Sequence, residues 1–269
     1  MMKKLLIIKL GGAAITDKKS LKTAKTDIIR KIAEQIKILH EQKYKIIIVH
    51  GAGSFGHILA NEYGFNGEDN LNLNANMGLG VSKIRNSVQK LNQIILDIFD
   101  DYNIKSYSIP VSSNILKMGK LDGKLEFFNL FNLALENNLI PITYGDICLN
   151  DGIEKFKIIS GDYIMEELVK NIDGEKYVIF GSNVDGYYEY NDGEKNIIHK
   201  IKFSEIDKII KNKFDEDYID VTGGIKGKLR SISNLGKHVN QVDLINLEKD
   251  NAILDLIDEN IELKTTFTK

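Results

Sequence analysis

A chain of 269 residues is long enough for one large α/β domain or two lobes, burying roughly 75% of its extended-chain surface. Its 36 Lys and Arg nearly balance 38 Asp and Glu, which excludes a global basic field for nucleic acid and an acidic tail, and points to small-molecule partners. A lone cysteine, Cys148, excludes a disulfide framework and a thiolate metal cluster and fits a reducing, cytoplasmic compartment.

Residues Met1 to Ile8 carry the basic and apolar parts of a signal peptide, but Lys9 interrupts the apolar run, Gly11-Gly12 follow, and no small-residue cleavage site does. Leu5 to Leu10 therefore reads as a buried strand, and no apolar segment approaches the ~20 residues that span a bilayer. Lys9, near the end of that strand, is costly to bury unless it meets an anion; the alternative is a lysine snorkelling from an edge strand. The loop Ala13 to Lys18 follows. Thr26 to Lys43 reads as a helix capped by Thr26, with the stripe Ile28, Ile29, Ile32, Ala33, Ile36 and Leu39 at 3.6-residue spacing.

The stretch Ile46 to His57 is the organising segment. Four branched apolar residues run into Gly51-Ala52-Gly53-Ser54-Phe55-Gly56-His57, and Ile58, Leu59 and Ala60 suit a helix. Strand, glycine loop and helix together aim free amides and a positive dipole end at an anion such as phosphate. The plain alternative is a tight strand-to-helix turn. Gly51, Gly53 and Gly56 spell a dinucleotide fingerprint, but the acidic residue expected about 20 positions on is replaced by the polar run Gly67 to Asn74. The P-loop spacing also fits, yet its Lys and Ser/Thr are replaced by His57 and Ile58, so this is no Walker A site.

Residues 64 to 80, rich in Gly and Asn, read as a mobile loop and a candidate lid. A helix from about Val81 to Tyr102 follows, with Ile84, Val88, Leu91, Ile94, Ile95 and Ile98 on one face. Lys105 to Pro110 reads as a strand, Asn129 to Asn137 as a helix and Leu139 to Tyr144 as a strand. Ser160-Gly161-Asp162 caps a helix to about Ile172, and Lys176 to Phe180 is a further strand. Alternation around Asn191-Asp192-Gly193 predicts a peripheral hairpin over 187 to 200. Asp220 to Leu229 is a second glycine-rich, lysine-bearing segment entering a helix to about Leu235. The strand Val242 to Leu247, the helix Ala252 to Ile257 and the strand Ile261 to Phe267 complete the sheet. No linker or repeat divides the chain, so a single α/β unit with two lobes is expected.

With Lys9-Leu10-Gly11-Gly12, the Gly51 to His57 loop, Ser160-Gly161-Asp162 and Thr222-Gly223-Gly224-Ile225-Lys226-Gly227-Lys228 in this order, the chain resembles the amino acid kinase superfamily from end to end. Ile15-Thr16-Asp17-Lys18 and Gly53-Ser54-Phe55-Gly56-His57 resemble the isopentenyl phosphate kinases, which transfer the γ-phosphoryl group of ATP to isopentenyl phosphate in isoprenoid biosynthesis. Fosfomycin kinases share the histidine and are the nearest alternative. A catalytically silent nucleotide-binding protein on the same fold is a further one. The resemblance implies an open, mainly parallel sheet sandwiched by helices, forming one domain over 1–269. Its acceptor half would cover about 1–174 and its nucleotide half about 175–269.

The resemblance also implies roles. Lys9, Gly11, Gly12, Gly53, Asp185, Gly223, Gly224 and Lys228 would contact ATP, and Gly186 would lie near it. Ala52, Gly53, His57 and Gly161 would contact the acceptor, Lys18 would stabilise the transferring group, and Asp162 would orient lysines or Mg²⁺. These assignments suit phosphoryl transfer, which is mostly positioning and neutralisation of oxygen charge. ATP and Mg²⁺ would be the cofactors, with metal ligands unassigned, and the protein would be a cytoplasmic homodimer that engages neither membrane nor nucleic acid. An acceptor that is already a phosphate is largely dianionic at pH 7, so His57 serves better as a hydrogen-bond donor than as a base. Ala13 and Ala52 depart from the Ser and Gly of many relatives, but neither change removes a charge. An isoprenoid tail calls for an apolar pocket drawing on Ile84, Val88 and Ile142. Tyr144, Tyr187 and Tyr188 are assigned to core or flap packing.

Overall fold

The computed structural model describes residues 5–65, 77–113, 125–191, 194–213 and 224–269. Leu5–Leu10 (β1) is buried at every position between two parallel neighbours, so helices cover both faces and the run needs no polar alternation. One helical turn, Gly12–Ile15 (α1), is followed by the amphipathic helix Thr26–Glu41 (α2) and the strand Lys45–His50 (β2). The glycine-rich stretch opens the helix Gly53–Glu62 (α3), and Met77–Asp101 (α4) comes next. The strand Ser106–Ser108 (β3), the helix Leu125–Glu136 (α5) and the strand Ile140–Tyr144 (β4) lead to an antiparallel pair, Asp146–Leu149 (β5) and Phe156–Ile159 (β6). Gly161–Asn171 (α6) is capped by Ser160, whose hydroxyl accepts from the Tyr163 amide.

The remainder runs through the strand Lys176–Ser182 (β7), the hairpin of Tyr187–Asn191 (β8) and Glu194–Ile198 (β9), the short strand Lys200–Lys202 (β10) and the helices Phe203–Lys213 (α7) and Gly224–Leu235 (α8). Gln241–Asn246 (β11), Ala252–Ile257 (α9) and Thr265–Thr268 (β12) follow. Eight strands form one sheet in the order β10-β12-β11-β7-β1-β2-β4-β3, with every neighbouring pair parallel except β11 and β12. This is the open, mainly parallel, helix-sandwiched sheet with a peripheral hairpin that the sequence implies.

Side-chain alternation on β1 decides which layer each residue enters. Leu5 and Ile7 pack with Phe131 of α5, Met165 and Leu168 of α6, and Leu229 and Ile232 of α8. Leu6, Ile8 and Leu10 pack on the other face with Ile32 and Ile36 of α2, Leu91 and Ile95 of α4, and Ile253 of α9. By the same alternation Lys9 belongs to the face covered by α6 and α8. Because the inner strands are parallel and in register, their carboxyl ends meet at one rim: Leu10 pairs with His50 and Gly181, His50 with Tyr144, and Asn246 with Ser182. Ligand loops of open α/β sheets gather at such a rim.

Several elements depart from the sequence reading. Residues 13 to 15 form a helical turn rather than loop, because Gly11-Gly12 turn the chain tightly enough to bury Ala14 and Ile15. The helix expected from Val81 begins at Met77; of the expected mobile loop and lid, residues 66–76 lie outside the described residues, as do Asp192 and Gly193 of the hairpin turn. The β5–β6 hairpin, β10 and α7 were not foreseen, and the strands expected from Lys105 and Ile261 begin at Ser106 and Thr265.

The α2 stripe gives a direct test of the packing. Ile36 is fully buried whereas Ile38, two positions on, is 39% exposed. Ile36→Ala is expected to lower unfolding free energy by about 2–5 kcal/mol, and Ile38→Ala by about 1 kcal/mol or less, read from denaturant midpoints. Equal losses would refute the placement of the stripe.

Candidate active site

The rim is built from backbone before it is built from side chains. A Cβ on Gly12 would lie 2.5 Å from the Gly53 amide nitrogen, and one on Gly51 would lie 2.7 Å from the Gly12 nitrogen. Gly53 sits at φ +50°, and a Cβ there would collide with Thr16 Oγ1. The Gly11–Gly12 turn and the Gly51–Gly53 turn thus touch backbone to backbone. Hydrogen bonds extend the strand ladders into them: the Gly11 amide donates to the Gly181 carbonyl at 3.0 Å and the Gly51 amide to the Leu10 carbonyl at 2.9 Å. The helix α3 begins at Gly53, where the first amides of a helix have no intrahelical acceptor.

Lys9 rises from β1 into this rim, 6% exposed, and its ammonium pairs with Asp162 in the first turn of α6 and lies 5.4 Å from the centre of the Phe180 ring. The edge-strand alternative for Lys9 is excluded, since β1 is central. Ser231 of α8 donates to the Asp162 backbone carbonyl at 3.1 Å, which ties α8 to the start of α6. One helical turn earlier Lys228 points to the same place and donates to Ser182 Oγ at 2.7 Å, at the carboxyl end of β7. Burial, then the repulsion of Lys9, pushes the Lys228 ammonium down to about 8; Asp162 opposes this and Lys18 adds to it. Among the described residues, the charges acting on Lys228 are those of Lys9, Lys18 and Asp162, an excess of positive charge that suits an anionic ligand.

His57 stands on the first turns of α3 and opens to solvent. Its surroundings nonetheless hold its imidazole below the ordinary value, first through desolvation and then through the charges of Lys18 and Lys9, with Asp162 opposing them. It is therefore neutral at pH 7 without an anion and still carries one N–H donor. On either side of it along α3, Ala52, Leu59 and Ala60 join an apolar cluster with Ile84 and Val88 of α4, Tyr144 and Ile147, packed against by Val81, Met77 and Phe156. Ile84 and Val88 lie on the buried face of α4, as read from the sequence, and belong to this cluster; Ile142, expected beside them, packs instead with Leu91 and Ile95, and Tyr144 two residues further along β4 joins the cluster. Tyr144 and Tyr187 are core residues, as expected. Cys148 is buried and its thiol is pushed up to about 12, so it is no nucleophile.

On the opposite flank Asp185 leaves the end of β7. Its carboxylate accepts from Asn246 Nδ2 at 2.9 Å and from the Tyr188 hydroxyl at 2.8 Å. Burial would raise its pKa, but these two hydrogen bonds and the charges of Lys249 and Lys195 outweigh that and hold it below the usual carboxylate range. Tyr188 therefore does more than pack the hairpin. A polar seam continues from Asn246 Oδ1 to the Glu248 amide, from Glu248 to Lys25 at 2.6 Å, and from Lys25 to the Ala13 carbonyl at 3.2 Å.

The structure thus gathers Lys9, Gly11, Gly12, Ala52, Gly53, His57, Gly161, Asp162 and Lys228 at one rim, where the charge of Lys18 is felt at both His57 and Lys228. Asp185 lies on the flank; Gly224 opens α8, and Gly223 lies outside the described residues. Ser182, Ser231, Asn246 and Thr16 were not assigned from sequence. Small polar residues carry no periodic signal, so only their partners reveal them. Among the described residues no group of three or more His, Cys, Asp or Glu could seat a metal ion.

The chain is similar to known proteins over most of its length. The chain is 31% identical over 253 residues to an isopentenyl phosphate kinase of Thermoplasma acidophilum, covering 94% of this chain and 96% of that one. It is 32% identical over 234 residues to one of Methanocaldococcus jannaschii, covering 85% and 86%. A crystal structure of the T. acidophilum isopentenyl phosphate kinase product complex superposes with a TM-score of 0.76 at 26% identity, covering 98% of this chain and all (100%) of that one. A UMP kinase from Ureaplasma parvum shares the fold, with a TM-score of 0.65 at 18% identity over the whole (100%) of both chains. The model of the amino acid kinase family matches residues 4–245, so the chain belongs to the amino acid kinase family.

Proposed function

We propose that the protein transfers the γ-phosphoryl group of ATP to isopentenyl phosphate, yielding isopentenyl diphosphate and ADP. The observation that carries this reading is the setting of His57, with the Lys9–Asp162–Lys228 cluster toward one side and an apolar cluster toward the other. An anionic head and a hydrocarbon tail on one small molecule match those two environments. The relatives named above, isopentenyl phosphate kinases at 31% and 32% identity, support the same acceptor.

In this reading Lys9 and Lys228 neutralise ATP phosphate oxygens, with Asp162 orienting Lys9. Lys18 stabilises the transferring group as the bond from the γ-phosphorus to the ADP oxygen breaks and the bond to an acceptor phosphate oxygen forms. The amides at Gly11, Gly12 and Gly53 approach phosphate oxygens, and Ala52 and Gly161 leave space for the acceptor head. The neutral imidazole of His57 donates its N–H to the acceptor phosphate. Asp185, Gly223 and Gly224 belong to the nucleotide side. With Asp162 engaged by Lys9, Mg²⁺ would be held chiefly by the ATP phosphates, whose charge it neutralises. Residues 1–174 form the acceptor half, though Lys9, Gly11 and Gly12 reach across to ATP, and 175–269 the nucleotide half. The same reading makes the protein a cytoplasmic homodimer; Leu130 and Leu133, exposed on α5, and Tyr107, exposed on the edge strand β3, would supply apolar contact area.

Comparing kcat/KM for isopentenyl phosphate, dimethylallyl phosphate, geranyl phosphate and fosfomycin, by ADP release, tests the acceptor. Isopentenyl phosphate should lead; a clear preference for fosfomycin would overturn the isoprenoid reading, and no turnover of any would leave only nucleotide binding.

His57→Ala should cost acceptor kcat/KM about 1.5–3 kcal/mol while ATP binding changes little, and His57→Gln should recover part of it. Equal loss for both substrates would mean that His57 only braces the loop.

Lys228 sets a pH limit. Its folded pKa of about 8 lies below the ordinary lysine value, so it is charged at pH 7 and loses its proton as pH rises through about 8. The value of kcat/KM for ATP, which reports the free enzyme, should fall above pH 8, and Lys228→Arg should flatten that limb because arginine stays protonated. A wild-type profile flat to pH 9.5, with Lys228→Ala leaving kcat/KM for ATP unchanged, would exclude Lys228 from ATP binding.

A further inference from the structure

The start of α3 lacks a cap of its own. Ala52 occupies the N-cap position with a methyl side chain that accepts no hydrogen bond, where Ser, Thr, Asp or Asn usually supplies an oxygen. The Ser54 amide, an orphan donor of the first turn, instead donates to Thr16 Oγ1 at 3.0 Å. That same hydroxyl donates to the Gly12 carbonyl at 2.7 Å, so its proton and a lone pair are both committed and its orientation is determined. Thr16 is fully buried, and the chain around it is pinned: its amide donates to the Gly12 carbonyl, it bridges to Ala24, and the Lys25 amide donates to the Ile15 carbonyl. Gly53 makes the arrangement possible, since any Cβ there would occupy the place of Thr16 Oγ1.

We propose that Thr16 is a positioning residue: its hydroxyl caps α3 from a separate loop and so registers Lys18 against His57, an inference that rests on the phosphoryl-transfer reading above. Lys18 lies two residues beyond Thr16, and His57 lies three beyond Ser54, close to one helical turn. The groups assigned to the transferring phosphoryl and to the acceptor phosphate are thus referenced to one oxygen atom. Capping from outside also keeps position 52 apolar. The methyl group of Ala52 packs against the apolar cluster beside Gly56, where a Ser or Asp side chain would bring a polar oxygen, and the cap comes instead from buried Thr16.

Thr16→Val, which keeps shape and removes the hydroxyl, is expected to lower kcat with isopentenyl phosphate roughly ten- to a hundredfold and to raise acceptor KM. Thr16→Ser should restore kcat to within about threefold of wild type. Independently of any substrate, hydrogen exchange at the Ser54 amide should be slow in wild type and Thr16→Ser and at least about tenfold faster in Thr16→Val, with displaced His57 ring resonances. Wild-type kcat in folded Thr16→Val would overturn the proposal, as would a serine variant as impaired as the valine variant. If Thr16→Val does not fold, an unprotected Ser54 amide in the wild-type protein overturns it and a protected one supports it. Absence of wild-type turnover with isopentenyl phosphate would refute the proposed acceptor, and the exchange measurement would still decide whether Thr16 holds the two loops in register.

Discussion

Lys9 stands on the central strand with Phe180 beside it and almost no exposed surface, and an ammonium group is stable there because the Asp162 carboxylate lies within ion-pairing reach. An isolated charge in that position would carry a desolvation penalty of several kcal/mol, and removing one partner of such a buried pair typically costs about 3–5 kcal/mol. The pair therefore dictates where α6 must begin. Ser160 caps that helix so that Asp162 falls in its first turn, and Ser231 fastens α8 to the Asp162 carbonyl. With α8 so placed, Lys228 arrives within the field of Lys9, and burial first, then the charge of Lys9, lowers its pKa. An anion would relieve that crowding, so the interaction that organises the fold also suits the proposed phosphate-bearing ligands.

Backbone contact is the second constraint. Gly12 against Gly51 and Gly53 brings two turns closer than any side chain would allow. The glycines that resemble phosphate-binding motifs by spelling are thus required first for the two turns to meet, and their availability to a ligand follows from that contact. Because the turns interlock, the chain just after β1 is fastened to the start of α3, with Thr16 as the polar link between them.

Around this centre the two flanks differ in character. One flank, the side proposed for the acceptor, is apolar and is assembled from α3, α4 and the β4–β5 junction. The other flank is a run of polar contacts from Tyr188 through Asp185, Asn246 and Glu248 to Lys25. Two unlike substrates could meet over the lysines without competing for the same wall.

Much of this was legible in the linear chain. The uninterrupted apolar run Leu5 to Ile8 required a strand buried on both faces, the stripe from Ile29 to Leu39 required a helix against it, and Gly11-Gly12 and Gly51 to His57 marked where two strands end. Charge at Lys9 inside such a run announced an anionic partner. What the chain alone could not decide was which carboxylate answers Lys9, that Ile142 packs deeper while Tyr144 joins the cluster beside His57, and that the oxygen capping α3 comes from Thr16 rather than from its own N-cap. Periodicity reports only how neighbours in sequence share a face. Partners 153 residues apart, as Lys9 and Asp162 are, meet through strand register and helix placement, which the packing of the whole sheet determines.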